Sequence, residues 1–407
     1  PLNPIINTRS FGEDTHAVAE LGAAYLAGAR EGGVLTTAKH FPGHGDTKTD
    51  SHVELPIVDA DRDRLEALEL VPFRRAVDEG VDAVMTAHVA VPGILGPDGL
   101  PATLSPFFLT ELLREDMGFT GLLLTDALSM GAITRTYGAG EAAVLAVEAG
   151  ADVLLGPEDV WVTLEAVVEA VQDGRLTRER LDASVRRVLE MKARVGLHRS
   201  RRVYLERIGE VVGSAAHLAF ADSAAARSIT LPRDRDGLIP VDPRSVERVV
   251  HVVYARSGDL VAGREMGRVL AEYFPSVRTV RVSDESAASS YDALAWTAGE
   301  ADLVVVSAFV PPRSGAGSVE APPALAGFVR ESASRRATVV VSLGNPYLLT
   351  AFPDLGSYMV AWGSREVAQR AAARALVGEA AVTGTLPITI PCLLYTSDAA
   401  DDSKRGG

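Results

Sequence analysis

The sequence predicts an α/β protein with an incomplete TIM-type (β/α)8 barrel over residues 1–199, a connector over 200–228 and an αβα sandwich over 229–391. Short apolar runs alternate with helix-period segments in the first half, the rhythm of a parallel sheet flanked by helices. Three successive apolar runs end on ionisable groups: Thr37-Ala38-Lys39-His40, Met85-Thr86-Ala87-His88 and Leu124-Thr125-Asp126. In a barrel the C-terminal strand ends converge on one pocket, whereas a doubly wound sheet gathers its site at one switch point. A second strand–helix alternation begins near Arg248.

In the barrel region, strands are expected at Leu35–His40, Asp82–His88, Leu122–Asp126 and Asp152–Leu155. Helical periodicity covers Asp14–Glu31, Asp61–Glu79, Pro106–Met117, Glu141–Ala149, Pro157–Asp173 and Thr177–Val195. Asp14 and Thr177 are N-cap residues, whose side-chain oxygens can accept from free first-turn N–H groups. The charged run Arg199–Arg202 marks the boundary.

Sandwich strands are expected at Arg248–Tyr254, Val277–Val282, Leu303–Phe309, Thr338–Leu343 and Tyr358–Trp362. Helices are expected at Leu260–Tyr273, Tyr291–Ala301, Pro323–Ser334 and Glu366–Val377. The tail 392–407 is polar, lacks a periodic face and resembles translated sequencing-adapter sequence. Disorder is expected there, and no function is assigned to it or to Cys392.

Composition narrows the function classes. The 407 residues are 47% hydrophobic and 23% charged, as in globular proteins. A net charge of −14 and a pI near 5.1 argue against a nucleic-acid partner. No apolar run reaches the length of a transmembrane helix. The chain opens at Pro1 without an initiator Met, so a missing signal peptide carries no weight and the compartment stays open. The single Cys392 excludes an internal disulfide framework and a cysteine-based zinc site.

The chemistry concentrates in Lys39–His52, K-H-F-P-G-H-G-D-T-K-T-D-S-H, which holds 3 of the 8 histidines. Such a glycine-rich loop needs water or a ligand for its backbone. Asp126 ends an apolar strand; it reads as a nucleophile or base, or as an N-cap for the segment that follows. Asp50, two residues before His52, can hold one imidazole nitrogen and leave the other to move a proton; the bland alternative is a solvated loop.

Arg9, Lys39 and His40 carry donors suited to sugar hydroxyls or carboxylates. Surface ion pairs and a core histidine are the alternatives, and for His88 a structural hydrogen bond competes with any chemical role. A metal held by His40, His44, Asp46, Asp50 and His52 is disfavoured. The His40/His44 spacing serves a helix, which Pro42, Gly43 and Gly45 forbid. The G-H-G segment is not a phosphate-loop pattern, and no cofactor is implied.

The stretch K-H-F-P-G-H-G-x-x-x-x-D-S-H, with G-F-T-G-L-L-L-T-D-A-L-S-M at Gly118–Met130, resembles the β-N-acetylglucosaminidases of glycoside hydrolase family 3. N-T-R-S-F-G-E-D, A-H-V-A-V-P and E-A-G-A-D-V-L-L fit the same family, and the likeness extends through S-L-G-N-P-Y to G-T-L-P-I-T-I-P, over 1–391. The resemblance implies a retaining exo-enzyme acting on terminal β-linked N-acetylglucosamine of peptidoglycan fragments or chitooligosaccharides.

By matching position it implies Asp126 as nucleophile, His52 as acid/base assisted by Asp50, and Arg9, Lys39 and His40 as sugar contacts. It also implies a barrel whose first strands precede Pro1, and Ala127 stands where relatives often carry a second Asp. The alternatives are a phosphorylase on the same scaffold, which phosphate dependence would reveal, and a non-catalytic sugar-binding module, which would bind without turnover. A β-glucosidase is disfavoured by the D-S-H loop, and a metal hydrolase would lose activity on chelation.

Overall fold

The computed structural model describes residues 3–312, 320–391 and Leu393. Apart from Leu393, the tail 392–407 lies outside the described residues. The chain divides into two compact units, one running to Val203 and the other starting at Tyr204.

The first unit opens with helix α1 (Thr15–Glu31), capped by Asp14, whose carboxylate accepts from Ala17 N. Strand β1 (Thr37–Phe41) follows, then α2 (Val71–Asp78), β2 (Ala83–Thr86), α3 (Phe107–Asp116) and β3 (Leu122–Leu124). Helices α4 (Ala139–Ala149), α5 (Val160–Gln172) and α6 (Arg178–Arg194) complete it, and Thr177 caps α6 through Arg180 N. The strands form a parallel sheet in the order β1-β2-β3, with Thr37 opposite Ala83 and Ala83 opposite Leu122. Phe41, Leu65, Leu70, Phe108, Leu112 and Leu123 fill the core between sheet and helices.

Two expectations are corrected here. The helix expected over Asp61–Glu79 is broken into Arg62–Arg64, a wide π turn at Leu65–Glu69, and α2. Pro72, which lacks an N–H and fits a first turn, starts α2 afresh. The strand expected at Asp152–Leu155 shrinks to one parallel bridge, Leu124 to Val153. Its start is instead occupied by Asp152, whose side chain bonds sideways to β3 and α6.

The second unit is an αβα sandwich. Its six-stranded sheet has the order β4-β9-β8-β7-β5-β6, from β4 (Thr230–Asp234), β5 (Arg248–Tyr254), β6 (Ser276–Val282), β7 (Leu303–Ala308), β8 (Ala337–Ser342) and β9 (Ser357–Val360). All neighbours are parallel except β4 with β9. Central strands such as Leu303-Val-Val-Val-Ser-Ala308 are buried throughout, because helices cover both faces of a parallel sheet.

Helices α7 (Ala215–Ser228), α8 (Arg264–Tyr273) and α11 (Glu366–Leu376) contribute to the core of one face, and α9 (Ala288–Ala298) and α10 (Pro323–Ala333) to the other. Strand β4 was not foreseen. It carries Pro232, which an edge strand tolerates because the missing N–H need not join a ladder. Asn345 caps the 3-10 helix Pro346–Ala351, its Oδ1 accepting from Tyr347 N at 3.0 Å.

Candidate active site

The site forms where β1 and β3 of the first unit end. The β1 ladder runs Thr37, Ala38, Lys39 against β2 and then skips to Phe41, a bulge at His40. A bulge re-aims a side chain beside a ladder, and His40 Nε2 lies 3.6 Å from Asp126 Oδ2. Asp126 is two residues beyond β3, one-fifth exposed, with Oδ1 accepting from Ala127 N at 2.8 Å.

Burial pushes the His40 imidazole down to about 3, against the pull of Asp126; Lys39, His44 and Arg9 push the same way as burial. The ring is therefore neutral at neutral pH, and its buried Nδ1 has no hydrogen-bond partner among the described residues. Arg9 donates to Ile5 O at 3.1 Å within electrostatic range of His40. Lys39 is exposed.

Asp50 and His52 form a local pair. Asp50 Oδ1 accepts from His52 Nδ1 at 2.8 Å and from His52 N at 2.9 Å. The Asp50 carboxylate is 2% exposed and the His52 side chain 37%, so a buried anchor carries a ring that reaches solvent. With Nδ1–H committed to Asp50, Nε2 is the ring nitrogen left available to donate or take a proton.

The turn sits on the segment that follows Asp126: Gly131 N donates to His52 O and Ala132 N to Ser51 O, each at 3.2 Å. Residues 79 and 81 positions apart are thus held together by backbone.

Other residues support the loop, and of these Asn3 carried no local signal. His44 lies between Thr47 Oγ1 at 2.8 Å and Ser51 Oγ at 3.0 Å. Burial pushes its imidazole down to about 4, leaving it neutral. Asn3 Nδ2 donates to His44 O, Gly45 O and Thr47 Oγ1 and ties the start of the chain to this loop. Gly43 needs its φ of +144°, and a Cβ there would meet Glu69 Cβ at 2.9 Å.

His88 is structural. Burial pushes it down, and its Nε2–H donates to Ala127 O at 2.9 Å while Nδ1 meets Thr103 Oγ1 at 2.9 Å. It pins the peptide next to Asp126.

The remaining metal candidates are otherwise engaged. Asp46 pairs with Arg64, and among the described residues no three His, Cys, Asp or Glu side chains group as a metal site. Among the same residues no helix is long and apolar enough to cross a membrane.

Comparisons with known proteins identify the family of the chain. The Glycosyl hydrolase family 3 N terminal domain matches residues 1–191. A glycoside hydrolase family 3 β-N-acetylglucosaminidase from Paenibacillus sp. str. FPU-7 superposes with a TM-score of 0.86 at 36% identity, over 96% of this chain and 74% of that one.

The chain belongs to glycoside hydrolase family 3.

Among other members, the β-N-acetylglucosaminidase/β-glucosidase of Cellulomonas fimi is 29% identical over 96% of this chain and 72% of its own length. The β-glucoside phosphorylase BglX superposes with a TM-score of 0.86 at 27% identity, over 98% of this chain and 73% of that one. This family 3 chain thus brings Asp126, His40 and the Asp50–His52 turn to one end of its parallel sheet, with Arg9 in electrostatic reach.

Proposed function

We propose that the protein is a retaining exo-β-N-acetylglucosaminidase, with terminal N-acetylglucosamine of peptidoglycan fragments or chitooligosaccharides as its substrate. The observation that carries this reading is the docking of the Asp50–His52 pair, through Gly131 and Ala132, onto the backbone that follows Asp126. The relatives named as β-N-acetylglucosaminidases support the same substrate class.

In the first step an Asp126 oxygen attacks the anomeric carbon. The glycosidic oxygen leaves with the proton from His52 Nε2, and the sugar becomes an ester of Asp126. In the second step water attacks that carbon, returns a proton to Nε2 and frees the carboxylate. Asp50 holds the ring through Nδ1–H and leaves Nε2 to carry the proton.

Most glycosidases place a second carboxylate here. An imidazole that is neutral after donation leaves no second anion beside Asp126. Arg9, Lys39 and His40 hold the sugar, and the neutral His40 offers N–H and N without adding charge.

A slow 5-fluoro glycoside tests the nucleophile. The ester should be found by peptide mass spectrometry on Asp126; a label elsewhere, or a fast Asp126→Asn variant, would sink the assignment. The phosphorylase reading is kept by the likeness to a β-glucoside phosphorylase, since a neutral imidazole also admits phosphate. Sugar 1-phosphate formed in place of free sugar when phosphate is supplied would favour it.

A further inference from the structure

The turn that carries His52 is gripped from two sides. On one side it accepts the Gly131 and Ala132 N–H groups. Gly131 lies so close that a Cβ would sit 2.5 Å from Val53 O and 2.9 Å from His52 O. Real side-chain carbons do not approach backbone oxygens that closely. On the other side the Ser51 hydroxyl, in a residue 2% exposed, meets His44 Nε2 at 3.0 Å. The proton count closes with Ser51 donating to Nε2 and His44 Nδ1–H donating to Thr47 Oγ1, whose own proton goes to His44 O.

We propose that Gly131 is a positioning residue for proton transfer: its missing side chain lets the Asp50–Val53 turn dock beside Asp126, while the Ser51–His44 bond clamps the turn from behind. This rests on the reading of His52 as acid/base. The Asp50–His52 bond is internal to the turn, so displacing the turn moves the pair as a unit. The three atoms nearest a Cβ at position 131 are Val53 O, His52 O and the Val53 carbonyl carbon, all of them on the turn. Proton delivery is then lost while carboxylate attack remains. A misplacement of about 1 Å is enough to cost about a hundredfold in such a step.

The test compares wild type, Gly131→Ala, Ser51→Ala and His52→Ala, using the full-length gene product. One substrate is a 2,4-dinitrophenyl β-N-acetylglucosaminide, whose leaving group needs no proton; the other is chitobiose, whose leaving group does. Amide exchange at Gly131 and Ala132 is followed in parallel. Gly131→Ala should lower kcat/KM on chitobiose about a hundredfold, leave the dinitrophenyl glycoside at the wild-type level and speed Ala132 exchange. Ser51→Ala removes only a hydroxyl; it should lower the chitobiose rate and speed Ala132 exchange by less, again leave the dinitrophenyl glycoside at the wild-type level, and it carries the test if Gly131→Ala does not fold. If His52→Ala shows the split between substrates but neither latch variant does, the Gly131 proposal falls and the acid/base reading stands. If His52→Ala shows no split, the acid/base reading falls and the proposal with it.

Discussion

Replacing Asp152 by Ala should destabilise the first unit by several kcal/mol, although Asp152 lies outside the chemistry. Its side chain is fully buried at the foot of β3. Oδ2 accepts from Arg114 Nη2 at 2.7 Å and from Leu123 N at 3.0 Å. Oδ1 accepts from Ser184 Oγ at 2.6 Å and Arg187 Nη1 at 2.9 Å, with Arg180 Nη1 at 3.7 Å. Burial pushes Arg114 and Arg180 down, and the Asp152 carboxylate pulls them back up.

Removing the anion leaves three partly buried cations facing one another, and breaking a buried pair in this way costs about 3–5 kcal/mol. The Leu123 N–H loses its side-chain acceptor in the core, a further cost of about 1–3 kcal/mol. These terms share partners and do not simply add, so the expected loss is about 4–6 kcal/mol, a large part of a domain's usual 5–15 kcal/mol. Urea unfolding followed by circular dichroism measures it. Asp152→Asn keeps an acceptor for Leu123 N and should lose less. An Asp152→Ala variant within about 1 kcal/mol of wild type, the range of an exposed ion pair, would refute the reasoning.

Three further outcomes follow from the geometry. Asp50→Ala should cost about 10²–10⁴-fold in kcat/KM on chitobiose, the usual worth of a positioned acid/base, with a far smaller loss in kcat/KM on the dinitrophenyl glycoside. Gly43→Ala should cost about 1–3 kcal/mol of stability, from the backbone strain of a side chain at its φ of +144° together with the clash with Glu69. His251, fully buried between Thr279 and Ser307, is pushed down to about 4 by burial.

The unfolded chain therefore takes up a proton below about pH 6.5 that the fold refuses until about pH 4. Stability should fall as pH drops through that window, by up to about 1.4 kcal/mol per pH unit for this group. His251→Gln, measured by urea titration of the sandwich unit, should flatten the slope by that amount; an unchanged slope would reject the assignment.

What the sequence determined by itself is what depends on near neighbours or on periodicity. The central sandwich strands were legible because a sheet covered on both faces favours near-continuous apolar runs, as in Leu303–Val306. The Asp14 and Thr177 caps bond within three residues, and the Asp50–His52 pair closes over two, so each is written locally. The ionisable strand ends at His40 and Asp126 were visible as apolar runs that stop on a charge or an imidazole.

Only the tertiary structure decided what meets what. Asp126 comes within 3.6 Å of His40 because a bulge turns one strand end toward the other. Asp152 gathers three arginines and a β3 amide on its carboxylate, from elements far from it in the sequence. Gly131 is an ordinary glycine in the sequence; it becomes the seat of the His52 turn only when the fold brings two carbonyl oxygens into the space a side chain would fill.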